Sequence, residues 1–176
     1  ADGVALFLEE HRLDPGQHRD LAFTFSFPVA QSAVNAGMLL NWTKGFTASG
    51  VAGQNVVALL SGALRRKHID EVSVTALVND TVGTLATKSY ADPSCDMGVI
   101  LGTGTNACYP EKTGRSAKGR FPGTGQEMIL NLEWGNFDKL STNPYDQTLD
   151  RITFNPGCQR MEKMVSGMYI GELVRL

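Results

Sequence analysis

At 176 residues the chain is long enough to bury one core or parts of two lobes, and its 16 lysines and arginines against 18 aspartates and glutamates leave a net charge of −2. That balance gives neither a basic face for nucleic acid nor an acidic tail, so no charged polymer is indicated as a partner. No apolar run approaches the length of a membrane span, and the opening ADGVALFLEEH lacks the basic region and sustained apolar core of a secretory signal. Three cysteines, Cys95, Cys108 and Cys158, cannot all pair and show no metal-ligand spacing. They read as buried thiols of a reducing compartment, and the default expectation is a cytoplasmic protein.

Residues Val4 to Leu13 read as an amphipathic helix stopped by the turn signal Asp14-Pro15-Gly16. Leu21 to Phe27 alternates Leu21, Phe23, Phe25 and Phe27 with smaller residues, a strand with one aromatic face, and Pro28 closes it. Gly37 to Lys44 is a short apolar run ending in Trp42-Thr43-Lys44. After the loop TASGVAGQ, Asn55 to Lys67 forms an amphipathic helix with Val56, Leu59, Leu60, Ala63 and Leu64 on one face. Its basic end, Arg65 to Lys67, matches the negative end of the helix dipole.

Val72 to Val78 is a buried strand of an α/β sheet that stops at the polar pair Asn79-Asp80. A carboxylate there has two readings. It lies at the strand edge where open α/β sheets bind ligands, or it caps the helix predicted over Thr81 to Tyr90. Asp92-Pro93 stops that helix. Asp96 to Leu101 and Asn106 to Glu111 are strands of a hairpin joined by GTGT, Lys112 to Gln126 is an exposed loop, and Met128 to Glu133 is a further strand. Residues 138 to 153 read as an irregular helix. After Asn155-Pro156-Gly157 one final helix carries Met161, Met164, Val165, Met168 and Leu173, a stripe better explained as core than as a cofactor box.

The strings FTFSFP, LLNWTKGF, VNDTVGT, LGTGTNACY, NLEWGNF, NPGCQRMEK and SGMYIGELVRL, in this order, resemble the hexokinase and glucokinase family of sugar kinases. The resemblance covers nearly the whole chain. It implies an α/β, actin-like or ribonuclease-H-like two-lobed fold, with residues 1–79 part of the small lobe and 80–176 part of the large lobe. The implied activity is ATP-dependent phosphorylation of glucose and related hexoses at the 6-hydroxyl, the first step of glycolysis. Family members are longer, so the chain is expected to be a central fragment.

The resemblance also implies roles for residues. Ser26, Phe27 and Pro28 fall where the sugar-binding loop begins. Thr43, Lys44, Asn79, Asp80, Asn106, Glu133, Gln159 and Glu162 match the sugar-contacting groups, as a desolvated hexose requires a polar partner for each hydroxyl. Asp80 would accept the proton of the attacking hydroxyl, and Lys44 would set a positive charge beside the transferred phosphoryl group. Gly102, Thr103, Gly104 and Thr105 match the second phosphate loop, where glycine amides approach an anion closely. ATP and Mg²⁺ are the implied cofactors, with Mg²⁺ carried by the nucleotide and no protein metal site.

The plainer readings are a helix-end preference for Glu162, a solvated Gln159 and a solvated Lys44. Glu133 is harder to dismiss, because a carboxylate closing an apolar strand needs a partner. The first phosphate loop, an Asp-Leu-Gly-Gly-Thr type sequence, and the segment that holds adenosine do not occur in these 176 residues. Turnover by this chain alone is therefore expected to be inefficient. The competing expectations are a catalytically silent hexokinase-like sugar-binding or regulatory module, and a non-sugar ATPase of the same superfamily. The sequence leaves a homo-oligomer, the preferred hexose and organelle targeting open.

Overall fold

The structure, a computed structural model, describes residues 1–14, 16–115 and 126–176. It divides into two compact units, Ala1–Asn79 and Asp80–Leu176. In the first, helix α1 (Asp2–Glu10) is followed by His11 and by Arg12, whose left-handed backbone (φ 48°) ends it short of the predicted Leu13. Strand β1 (Arg19–Thr24) pairs in parallel with β4 (Val72–Val78), with an irregularity between Leu21 and Ala22. The pairing ends three residues before the predicted Phe27, one further bond running from the Phe25 amide to the Val78 carbonyl.

A hairpin absent from the sequence reading lies between them, β2 (Val29–Ala33) with β3 (Ala36–Leu39). Four of the five β2 residues are exposed and small or polar, so no apolar alternation announces the strand. The hairpin is tied to β4 by the Gln31 side chain donating to the Leu77 carbonyl and the Leu77 amide donating to the Val34 carbonyl. Helix α2 (Val56–Arg66) starts from an Asn55 cap that accepts the Val57 and Ala58 amides. Its buried face contains Val56, Val57 and Leu64, which close a core with Leu39, Ile69, Val74 and Leu77. Leu59, expected on that face, is 40% exposed.

The second unit opens with α3 (Asp80–Ala91) packed on an antiparallel sheet of order β5 (Gly98–Leu101), β6 (Thr105–Lys112) and β7 (Glu127–Asn131). The GTGT hairpin joins β5 and β6 as the sequence predicts. Gly98 sets how close helix and sheet come: a Cβ there would lie 2.4 Å from the Thr81 carbonyl oxygen and 3.0 Å from Leu85 Cβ. Thr81, Leu85, Ala107 and Cys108 are buried in this unit. Of the predicted loop Lys112 to Gln126, Lys112 ends β6 and Thr113–Arg115 form a short 3₁₀ turn with Thr113 buried. Residues 116–125, and Pro15 of the first turn, lie outside the described residues.

Helix α4 (Pro144–Ile152) is regular where an irregular helix was expected, because Asn143 and Asp146 form a reciprocal capping box and Pro144 sits at its start. The single final helix is two, α5 (Arg160–Val165) and α6 (Gly167–Arg175), broken at Ser166 in extended conformation. The break turns the first amides of α6, Gly167 and Met168, toward the carbonyls of Gly102 and Thr103, which they reach at 2.8 and 3.2 Å.

Candidate functional site

Five of the predicted residues come together in the first unit. Lys44 adopts a left-handed backbone (φ 55°), and its ammonium donates to the Ser26 carbonyl at 2.9 Å while lying 5.3 Å from the centre of the Phe27 ring. Phe27 stands edge-on to Trp42 and Phe46, with centroids 4.8 and 5.0 Å away, and Trp42 donates to the Ala48 carbonyl. The Pro28 carbonyl accepts the Leu40 amide, and Thr43 is buried with its carbonyl accepting the Phe46 amide. The segment Ser26 to Pro28 and the segment Thr43-Lys44 are thus fixed to one another. Asn79 ends this unit after β4.

Asp80 begins α3, half-buried, with its Oδ1 accepting the Thr81 amide at 3.0 Å. Next to it, Thr81 is fully buried and leads into a polar network built on one face of β6 and β7. Asn131 pairs with Cys108, so Asn106, two residues back on β6, is its diagonal neighbour on that face. Asn131 Oδ1 accepts from Thr81 Oγ1 at 3.1 Å and from Asn106 Nδ2 at 2.8 Å. Glu133 Oε1 accepts from Asn131 Nδ2 at 2.7 Å and from Asn106 Nδ2 at 3.0 Å. Glu133 does not close β7 as the sequence reading had it. It lies two residues beyond, in a left-handed conformation (φ 51°) leading into the short turn Trp134–Asn136.

Glu162, on α5, is 3% exposed rather than a surface helix-end residue. Its Oε2 accepts the Thr105 amide at 3.1 Å and its Oε1 meets Gln159 Nε2 at 3.4 Å. Gln159 is left-handed as well (φ 53°), with its amide held by Asn136 Oδ1. Among the described residues five non-glycine positions have positive φ, and Lys44, Glu133 and Gln159 are three of them. Such conformations persist only where the surroundings impose them, and they concentrate at functional sites.

The GTGT turn has a narrower donor set than its glycines suggest. The Gly102 amide donates to the Gly104 carbonyl, and the Gly102 and Thr103 carbonyls cap α6. Thr105, expected as a phosphate contact, is a scaffold residue: its amide is taken by Glu162, its hydroxyl donates to the Ile100 carbonyl and accepts from Trp134 Nε1. Among the described residues, no protein acceptor takes the Thr103 or Gly104 amide or the Thr103 hydroxyl, and Thr103 is exposed. These three donors fit an anionic oxygen. No group of three or more His, Cys, Asp or Glu among the described residues is arranged to hold a metal ion.

Behind α5, Lys163 is 2% exposed and its ammonium bonds Asp150 Oδ1 at 2.7 Å and the Asn155 carbonyl at 2.8 Å. Asp150 also accepts the Gly157 amide on both oxygens. Burial pushes the Asp150 carboxyl up, but the hydrogen bonds from Lys163 and Gly157, with the charges of Lys163 and Arg160, outweigh it and hold the carboxyl below its ordinary range. This pair anchors the segment that delivers Gln159 and Glu162. Sequence reading missed it, along with Thr81, Asn131 and Trp134. Asn131 is the last residue of β7 and Glu133 lies beyond the strand in a left-handed turn, so no strand period joins the two in sequence.

Comparison with known proteins points to one class. Family models described as hexokinase match residues 1–90 and 96–176. Hexokinase-3 of Mus musculus is 52% identical over 166 residues, covering 91% of this chain and 18% of that protein. Hexokinase-1 of Nicotiana tabacum is 49% identical over 171 residues, covering 95% of this chain and 34% of that protein. A solved structure described as hexokinase from Schistosoma mansoni complexed with glucose superposes with a TM-score of 0.90 at 42% identity, over 99% of this chain and 40% of that one. The chain belongs to the hexokinase family, and its mixed α/β fold matches part of that structure. It spans between about a fifth and about two fifths of these relatives.

No helix among the described residues is long and apolar enough to cross a membrane.

Proposed function

We propose that the polypeptide containing this chain transfers the γ-phosphoryl group of ATP to the 6-hydroxyl of a hexose of the glucose class. The observation that carries the reading is the network joining Thr81, beside Asp80, to Asn131, Asn106 and Glu133, in a chain 42% identical to a hexokinase complexed with glucose. The left-handed backbone at Lys44, Glu133 and Gln159 supports it, since three of the proposed sugar-facing residues sit where the fold imposes strain.

In this reading Asn106, Glu133, Gln159 and Glu162 bind hexose hydroxyls, together with Asn79, Thr43 and the Ser26 to Pro28 segment. Asp80 accepts the proton of the 6-hydroxyl as its oxygen bonds to phosphorus and the bond to the ADP oxygen breaks. An ordinary carboxylate suffices, because the transition state is loose and the hydroxyl loses its proton late. Lys44 offers positive charge to the transferred group. Thr103, through its amide and hydroxyl, and the Gly104 amide would hold phosphate oxygens. Bound ATP supplies the phosphoryl group, with Mg²⁺ neutralising its charge. A cytoplasmic location belongs to the same reading and is supported by three free thiols.

A coupled assay of the intact polypeptide with ATP and glucose tests the reading, with ADP formation dependent on glucose as the expected result. Absence of glucose-dependent ADP would overturn it, and glucose binding without ADP would favour the silent sugar-binding module. The chain of 176 residues assayed alone is expected to turn over far more slowly than the intact polypeptide; comparable rates would remove that expectation.

A further inference from the structure

Resting on that reading, we propose that Asn131 is a positioning residue for sugar recognition: it orients the Glu133 carboxylate and ties it to the first turn of the helix that begins with Asp80. Its amide is used at both ends. Oδ1 accepts two donors, Thr81 Oγ1 at 3.1 Å and Asn106 Nδ2 at 2.8 Å, while Nδ2 donates to Glu133 Oε1 at 2.7 Å. Rotating the amide by half a turn would set its NH₂ group against two donors and its oxygen against a carboxylate. The orientation is therefore locked.

Asn106 closes the ring. Both hydrogens of its Nδ2 are committed, to Asn131 Oδ1 and Glu133 Oε1, and its Oδ1 accepts the Ala107 amide. What it can offer a sugar is acceptor capacity on Oδ1. Glu133 Oε1 thus receives two charge-assisted hydrogen bonds that fix its plane before any ligand arrives. Glu133 needs that support, because its left-handed backbone leaves it in a turn beyond the end of the β7 ladder. Thr81, fully buried in the first turn of α3, extends the same network to the residue after Asp80. A displaced Asn131 would release the sugar-facing carboxylate and loosen its register to the base.

Asn131→Asp in the intact enzyme isolates the role. It keeps an oxygen for Asn106 and Thr81 but replaces the donor to Glu133 with a carboxylate oxygen. The expected result is a KM for glucose raised about 10- to 100-fold, with the KM for ATP within about twofold. Thr81→Val is expected to raise the glucose KM by a smaller factor and Thr81→Ser to restore it, which separates lost hydrogen bonding from lost packing. A glucose KM within twofold of wild type in Asn131→Asp would overturn the proposal. So would equal losses for glucose and ATP accompanied by a lowered midpoint, which would mark Asn131 as structural only. A wild-type enzyme without glucose-dependent transfer would instead refute the reading on which the proposal rests.

Discussion

Removing the Asp150 carboxylate should destabilise the second unit strongly, because Lys163 would stay buried. Lys163 has a side chain 3% exposed and two oxygen partners, Asp150 and the Asn155 carbonyl. Truncating one partner of a buried pair costs about 3–5 kcal/mol. Asp150 is itself 22% exposed, so the lower end applies, about 3 kcal/mol. The Gly157 amide loses its acceptors as well, adding about 1 kcal/mol. At about 2–4 °C per kcal/mol for a chain of this size, Asp150→Ala should lower the unfolding midpoint by about 8–16 °C. Calorimetric unfolding of wild type, Asp150→Ala and the Asp150→Ala, Lys163→Met double variant is the assay. The double variant should recover part of the loss, since the uncompensated charge is gone. A midpoint within about 2 °C of wild type for Asp150→Ala, or a double variant less stable than the single one, would refute the reasoning. The same pair sets a pH dependence. The folded carboxyl titrates below its ordinary value of 3.8, so its contribution is fully present above that value and is lost as pH falls through the depressed one. Wild type should therefore lose stability more steeply below about pH 4 than Asp150→Asn.

Glu133→Ala in the intact polypeptide should abolish glucose binding by calorimetric titration, while the wild type binds glucose and not galactose; equal binding of both sugars would contradict the sugar site proposed. Gly98→Ala would drive a methyl group to 2.4 Å from the Thr81 carbonyl oxygen and should cost about 1–3 kcal/mol, measured by denaturant unfolding. An unchanged midpoint would show that α3 can move off β5 freely. Cys108 is fully buried, and burial pushes its thiol up despite the Thr81 hydroxyl and the Gly98 backbone acting the other way. Thiol labelling should reach exposed Cys158 first and Cys108 only on unfolding, so early labelling of Cys108 would refute its placement.

Strand β4, helix α2 and the β5–β6 hairpin were legible because their apolar residues repeat with a clear period or meet at a glycine turn. The β2–β3 hairpin was not, since four of the five β2 residues are exposed and small or polar, and β3 is only four residues long although its Leu39 is buried in the core. The break at Ser166 was hidden inside a continuous apolar stripe. Its cause is distant, the carbonyls of Gly102 and Thr103 that take the first amides of α6. The polar residues Asp80, Asn106, Glu133 and Glu162 were visible as candidates, yet what holds them was not. The bonds of Asn131 to Thr81, of Trp134 to Thr105 and of Asp150 to Lys163 span 13 to 50 residues, which no local pattern encodes.

The most direct test of Asp80 as the base is phosphoryl transfer from labelled ATP to glucose by the intact polypeptide, wild type and Asp80→Ala, with glucose binding measured on the same preparations. The mechanism predicts transfer reduced by at least about 10² to 10⁴-fold while glucose binding is weakened but still detectable. Near-normal transfer by Asp80→Ala would contradict it.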